Sequence, residues 1–457
     1  DFLPLKSYVN IVEANALRLD WNTLIPKENL HYIMGNPPFV GARLMSPEQK
    51  DDLNNVFNGE KNVGNLDYVS CWYKKAADFM LGTTIRSALV STNSITQGEQ
   101  AALLWKPLVE KLGVHIDFAH RTFRWDSEAN SKAHVHCVIV GFSTTPNIKP
   151  RLLFEGEKVV TCQNINAYLT NGANVFVENC NKPICKIAPL ARSGNKPIDD
   201  GNYLFSEEEY EEFIRKEPLS QKYFRPWIGA YEFINRKKRY CLWLGDASPS
   251  ELINLPECLK RIENVRNFRL ASKSLGTVKL ADSPTRFHVE TVLNKPFLVL
   301  PLTSSERREY VPIGFITPDY LASNLVVVVA DAKLFHFGIL TSNVFMSWMR
   351  AVCGRLKSDY RITKDNVYNN FPWPILSDEL IVKIEQTAQA ILDARALYAD
   401  ASFSDLYGEN MYLYPELRKA HQANDRVVMK AYGYAPTLTE AEIVADLMKR
   451  YQTLTQA

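Results

Sequence analysis

Two consecutive prolines just after a strand-like run constrain this chain more than any other local feature. Residues 31–34 read as a strand, and Asn36-Pro37-Pro38-Phe39 follows one residue later. Each proline holds φ at about −65° and lacks a backbone donor, so neither a ladder nor a helix passes through the pair. The strand must end there in a stiff turn. Such a turn presents the Asn36 side-chain amide and the neighbouring carbonyls with little freedom to move.

The surroundings of the turn alternate between two periods. Strand patterns occupy residues 8–13, 31–34, 87–91, 114–119 and 135–142, and helical patterns occupy 47–56, 67–81 and 99–111. Asp67 is placed to cap the second of these helices. Interleaved strands and helices predict an open α/β sheet of the Rossmann-like kind, whose ligands sit outside the carboxyl ends of the strands. The chain has 457 residues, so further domains are expected. Past the Ser-Thr-Thr-Pro-Asn stretch at 143–147 the texture becomes short β runs, turns and aromatics, with helices at 206–216 and 249–264. From 378 the apolar positions 381, 384, 388, 391 and 392 recur at helical spacing, followed by helical runs at 423–432 and 439–451. The expected division is an α/β domain over 1–145, an α+β domain over 146–375 and a helical region over 376–457.

Several classes of function are unsupported by composition. No apolar run reaches the roughly 18 residues of a membrane helix, so no membrane partner is expected. The net charge of +2 is neutral on the question of nucleic acid, because the placement of charge decides it. Eight cysteines contain no CxxC pair, and free cysteines fit a cytoplasmic protein. His134, His136 and Cys137 lie in an alternating, then apolar, core-strand pattern, and no metal site is assigned to them.

The turn has the groups needed to methylate an exocyclic amine. The lone pair of adenine N6 is delocalised into the ring. Two acceptors facing its two N–H groups, the Asn36 side-chain oxygen and the Pro37 carbonyl, would draw the nitrogen towards sp³ geometry and free that pair. Phe39 is placed to stack on the base, an interaction of about 1–3 kcal/mol. A base in a duplex has to leave the stack to reach such a pocket.

At this point the chain resembles a known group. Asn36-Pro37-Pro38-Phe39 is similar to the catalytic turn of S-adenosylmethionine-dependent amino-methyltransferases, in the form usual for adenine N6. Segment 13–21 (EANALRLDW) is similar to the family segment beside the cofactor's adenine, which implies Asn15 and Ala16 as cofactor neighbours. Segments 64–68 (GNLDY) and 91–98 (STNSITQG) resemble the next family segments. Segment 122–129 (TFRWDSEA) resembles the one that supplies a second stacking face, implying Phe123 or Trp125. Further along, 225–230 (RPWIGA), 239–244 (RYCLWL), 367–374 (VYNNFPWP), 391–396 (ILDARA) and 415–425 (PELRKAHQAND) resemble the MmeI-like single-chain restriction–modification enzymes. The resemblance covers essentially the whole chain. It implies a target recognition domain after the methyltransferase fold, double-stranded DNA as partner and S-adenosylmethionine as cofactor.

Basic residues gather where the resemblance places that recognition domain. Arg225, Arg236, Lys237, Lys238, Arg239, Arg266 and Arg269 are the expected DNA contacts, by phosphate neutralisation or, for arginine, by reading guanine edges. The 367–374 stretch is read as a structural connector, because its prolines are separated and no strand leads into them. The family's Phe-x-Gly-x-Gly turn and its ribose-binding acidic residue are not found in these residues. The resemblance therefore implies that further cofactor-binding segments and a nuclease lie upstream on the same polypeptide, and that these residues alone neither bind the cofactor nor turn over. Two other functions fit parts of the same pattern: a DNA-specificity module without its own catalysis, and an RNA or protein amino-methyltransferase.

Overall fold

The computed structural model describes residues 11–125, 135–145 and 150–456, except for the side chains of Arg124, Trp125 and Val135. The chain divides into two compact units, Asp1–Glu178 and Asn179–Ala457. No described helix is long and apolar enough to cross a membrane.

Among the described residues, the first unit is built on one six-stranded mixed sheet. In chain order its elements are β1 (Tyr32–Gly35), α1 (Pro47–Val56), α2 (Ser70–Met80), β2 (Arg86–Thr92), α3 (Gly98–Leu112), β3 (His115–Trp125), β4 (Val135–Ser143), β5 (Arg151–Glu155) and β6 (Lys158–Cys162). The spatial order is β1-β2-β4-β3-β5-β6. β1 runs parallel to β2, and β4 is antiparallel to both β2 and β3. Half of the expected strand at 8–13 lies outside the described residues, and residues 11–13 carry no strand. The sheet also continues past the expected boundary at 145, because β5 adds alongside β3 and β6 alongside β5.

Local signals account for the helices. Ser46 and Gln49 close a capping box on α1, and Gly113 ends α3 at φ 67°, a conformation that favours glycine. Tyr73 on α2 stacks on Phe142 of β4 at 5.2 Å, and Trp105 on α3 meets Tyr73 edge-on at 5.5 Å. The Tyr73 hydroxyl reaches the Leu89 carbonyl (3.2 Å) and the Ser91 hydroxyl (2.9 Å), which fixes α2 over the carboxyl half of β2.

The second unit carries three small sheets and a helical layer. Its elements run β7 (Ala191–Ser193), β8 (Leu204–Ser206), α4 (Glu207–Lys216), β9 (Phe224–Ile228), α5 (Ala230–Asn235), β10 (Arg239–Leu242), α6 (Pro249–Leu252), α7 (Pro256–Leu270), α8 (Leu275–Lys279), β11 (Phe297–Pro301), β12 (Thr303–Ser304), β13 (Gly314–Ile316), β14 (Leu321–Ala322) and β15 (Val326–Val329). Then follow α9 (Leu334–Leu340), α10 (Asn343–Val352), β16 (Gly354–Leu356), β17 (Asp359–Arg361), α11 (Asp378–Ala396), α12 (Phe403–Leu406), α13 (Pro415–Tyr432) and α14 (Glu440–Gln456). The sheets are β14-β9-β10-β8, β13-β11-β15-β7 and β12-β17-β16. The helix expected at 249–264 is two helices. Pro256 forces its predecessor Leu255 out of helical geometry (φ −125°, ψ 74°) and then starts α7.

The helical region after 376 packs within the second compact unit. A Cβ at Gly338 of α9 would lie 2.6 Å from Ile384 of α11, so glycine permits this close helix crossing. Asn424 of α13 donates to the Gly338 carbonyl (2.7 Å) and accepts from Thr387 of α11 (2.9 Å). The 367–374 stretch is buried, with Trp348 donating to the Val367 carbonyl and Tyr432 to the Pro372 carbonyl. It is a structural connector.

Arg269 overturns one expectation. It is fully buried and donates five hydrogen bonds to the carbonyls of Pro197, Ile198, Leu280, Ser283 and Arg286. Burial removes it from the DNA-contacting residues, since its donors are already satisfied within the fold. Replacing it removes a donor from all five carbonyls, of which Leu280 and Ser283 keep a backbone donor. Arg269→Met should therefore cost at least about 3 kcal/mol in denaturant unfolding, while the exposed Arg266→Ala stays near zero.

Asp425 supplies a pH signature. Burial lifts its carboxyl to about 6, against the opposing effect of hydrogen bonds from the Tyr310 hydroxyl (2.6 Å) and the Asn343 amide (2.8 Å). A raised carboxyl binds its proton more tightly in the folded state. Its contribution is complete below about pH 4 and is lost as pH rises through about 6. Melting curves of wild type and Asp425→Asn should diverge across that window, with only the wild type losing stability as pH rises by this route.

Candidate active site

The Asn36 turn starts where β1 ends. Asn36 and Pro38 are exposed, Pro37 is buried and Phe39 is half-buried. The far side of the turn is held by residues distant in sequence. The Tyr68 amide donates to the Val40 carbonyl (2.9 Å), and the Ala42 amide donates to Asp67 Oδ1 (3.0 Å). The other Asp67 oxygen accepts from the Ser94 hydroxyl at 2.5 Å, and the Asp67 amide donates to Gln100 (3.1 Å).

Asp67 therefore does not cap a helix. α2 starts at Ser70, and its N-cap Val69 makes no side-chain bond. The carboxylate instead braces three segments together: the turn, 64–68 and 91–98. Both of the latter stand out in the sequence, but their pairing through Asp67 has no local signature.

Sheet register sets the rest of the site. β1, β2 and β3 run in one direction, so their carboxyl ends share one edge of the sheet. Thr92 of β2 pairs with Cys137 of β4, and Cys137 pairs with Phe123 of β3. Phe123 is half-buried at the same sheet edge as the Asn36 turn. A bulge between His120 and Phe123 re-aims this end of β3. Trp125 ends the strand opposite Val135, and its side chain lies outside the described residues, as do residues 126–129 of the same segment and His134.

Asn15 belongs to a polar cluster that the sequence did not reveal. Asp52, nearly fully buried, accepts from Arg18 Nε (2.6 Å), the Tyr68 hydroxyl (2.8 Å) and Asn15 Nδ2 (3.1 Å). Burial acts to raise the Asp52 carboxyl, but these hydrogen bonds outweigh it and hold it below the usual carboxylate range. The Asn15 side-chain oxygen accepts from the Leu17 amide (2.9 Å), and the Ala16 carbonyl accepts from the Trp21 indole (2.9 Å). Tyr68 thus joins this cluster through its hydroxyl and the Asn36 turn through its amide.

In the second unit, the expected DNA contacts have diverse surroundings. Arg225 is half-buried beside Asp319 and Leu293, at the wall of a cavity of about 520 Å³. Arg236 is exposed in the left-handed region (φ 52°) and donates to the Ala399 carbonyl. Lys238 pairs with Glu207 (2.6 Å) and Arg239 with Glu232 (3.4 Å). Lys237 is exposed with no ion-pair partner among the described residues, and Arg266 is exposed on α7.

A proline-braced Asn-Pro-Pro-Phe turn at the carboxyl edge of an α/β sheet, followed by a mixed α+β region and a helical layer, defines a methyltransferase fold carrying a recognition region. Family models agree segment by segment. Residues 1–155 match the MmeI DNA-methyltransferase domain, 171–375 the MmeI target recognition domain and 376–457 the MmeI C-terminal domain. The chain belongs to the MmeI family. It is similar to DNA methyltransferase A of Bacillus subtilis (strain 168), at 38% identity over 99% of this chain and 51% of that one. It also superposes on the type IIL restriction–modification enzyme MmeI, solved in complex with DNA, with a TM-score of 0.94 and 43% identity. That match covers all of this chain and 61% of the other. The chain thus spans about half the length of the curated relative.

The brace is open to a direct test. Asp67→Ala removes the acceptor of the Ala42 amide. Hydrogen exchange at Ala42 should accelerate roughly five-fold, the equivalent of about 1 kcal/mol, with slow exchange retained in β2. An unchanged rate at Ala42 would remove Asp67 from the site.

Proposed function

We propose that the chain is the base-handling and target-recognition part of a DNA adenine N6-methyltransferase in a restriction–modification protein. The braced Asn36 turn at the sheet's carboxyl edge is the observation that carries this reading. In it, the Asn36 side-chain oxygen and the Pro37 carbonyl accept the two N6 hydrogens of an adenine swung out of duplex DNA. Phe39 stacks on one face of the base, with Phe123 or Trp125 on the other. The acceptors pull the amine towards sp³ geometry, so its lone pair becomes the nucleophile. No strong base is needed, because the proton becomes acidic only as the new bond forms.

S-adenosylmethionine, as methyl donor, would supply an electron-poor methyl group. The residues near Asn15 fit part of it. Ile11 and Val12 offer exposed apolar surface suited to an adenine ring. The Asn15 side chain and the Ala16 carbonyl are engaged within the chain, and two nearby carboxylates are paired, Asp52 with Arg18 and Asp78 with Lys74. Asn15 and Ala16 thus shape an edge of the donor site. Contacts to its ribose and methionine are assigned, by resemblance, to other segments of the polypeptide. Arg225, Arg236, Lys237, Lys238, Arg239 and Arg266 contact duplex DNA.

The test uses the natural full-length protein and a methyl-labelled donor. Labelled N6-methyladenine in duplex DNA is the expected product. Asn36→Ala should lower kcat by on the order of 10²–10³-fold, as for loss of one transition-state-directed group, with the melting temperature unchanged. Label on cytosine N4, RNA or protein would overturn the reading. Lys237→Ala should reduce the salt dependence of DNA affinity by about one unit of slope if Lys237 meets a phosphate.

A further inference from the structure

The second unit contains a cavity that the methyl-transfer chemistry does not use. Its volume is about 750 Å³, within the roughly 300–1,000 Å³ typical of small-molecule sites. The basic run Arg236–Arg239 lies along it, and Arg395 of α11 lines it from the helical layer.

Arg395 is unusual in two respects. It is only 6% exposed, yet no carboxylate pairs with it among the described residues. Its Nε donates to the Tyr407 hydroxyl (2.6 Å) and one terminal nitrogen donates to the Ile313 carbonyl (2.7 Å). The other terminal nitrogen is buried without any hydrogen-bond partner. Rings of Phe337, Phe403 and Tyr407 surround the guanidinium at 5.0–5.2 Å and offset part of its charge. They leave one terminal nitrogen unfilled, a costly arrangement for a buried polar group; that nitrogen is shut off from solvent, and the rest of the Arg395 side chain meets the cavity.

Positive charge predominates around the cavity. Arg236, Lys237, Lys238, Arg239 and Arg395 line it against a single carboxylate, Glu232, which is already held by the Gly229 amide and Arg239. The rest of the wall is largely apolar, including the half-buried rings of Phe315 and Tyr320. A strongly anionic group attached to a flat ring satisfies both halves of this lining. Phosphate, carrying close to two charges and three acceptor oxygens, suits the basic half.

We propose that this cavity is a nucleotide site, with a phosphate received by Arg395 and Lys237 and a base lying against the aromatic wall. The same chemistry is available from a free mononucleotide or from one unstacked nucleotide of a DNA strand. The proposal rests on the cavity and not on methyl transfer, so Asn36→Ala leaves it untouched.

Calorimetry on this chain tests it, with dAMP, inorganic phosphate, deoxyadenosine and a four-nucleotide single strand as titrants. Binding of dAMP is expected at about millimolar or better, at least about ten-fold tighter than phosphate or deoxyadenosine alone. Tighter binding of the single strand than of dAMP assigns the site to DNA, and the reverse assigns it to a free nucleotide. Lys237→Glu, at an exposed position, should weaken either ligand at least about five-fold without altering the melting temperature. Arg395→Lys keeps the charge but loses the planar guanidinium held by Tyr407 and the Ile313 carbonyl, and should weaken binding similarly. Absence of heat with both dAMP and the single strand at about 5 mM overturns the proposal. So does Lys237→Glu binding both as wild type does, which decides the matter even if Arg395→Lys fails to fold.

Discussion

The site depends on the Asp67 carboxylate. Two prolines stiffen the Asn36 turn along its own backbone, but stiffness alone does not position it against the sheet. Asp67 does so by accepting from Ala42 on one oxygen and from Ser94 on the other. It couples the turn at the end of β1 to the loop at the end of β2. Trp105 donating to the Ile95 carbonyl (3.0 Å) then fixes that loop to α3. A carboxylate shared between two loops carries position across the sheet edge in a way that packing of two small polar segments does not.

The same principle recurs at a larger scale in the second unit. Arg269 gathers five carbonyls from segments around 197, 280 and 286, where no regular ladder is available to satisfy them. Arg395 does this incompletely, with two of its three nitrogens satisfied. The contrast separates a structural arginine from one with capacity left for a ligand. The two buried arginines among the described residues thus serve differently, one closing the fold and one beside an open cavity.

Much of the architecture was legible from local pattern. The strand at 31–34, the helix at 47–56 and the helix at 99–111 match β1, α1 and α3 closely, since period and capping are short-range properties. Misreadings arose where a residue had two plausible local partners. Asp67 has the chemistry of a cap and sits three residues before a helix, but its oxygens are taken by Ala42 and Ser94. Residues 249–264 have continuous helical composition, but Pro256 breaks them. Arg266 and Arg269 are three apart on one helix, yet one is exposed and the other fully buried.

The amino-acid sequence by itself determined the stiff Asn36 turn, the α/β alternation around it and the family to which the chain is similar. These rest on φ restriction, side-chain period and short motifs, all readable within a few residues. Tertiary structure alone decided which charges are free and which are consumed. It also decided that residues near 236, 315 and 395 share one cavity, and that Tyr68 links the Asn15 cluster to the Asn36 turn. The physical reason is that burial and hydrogen-bond satisfaction depend on what long-range folding brings alongside a residue, and no local period encodes that.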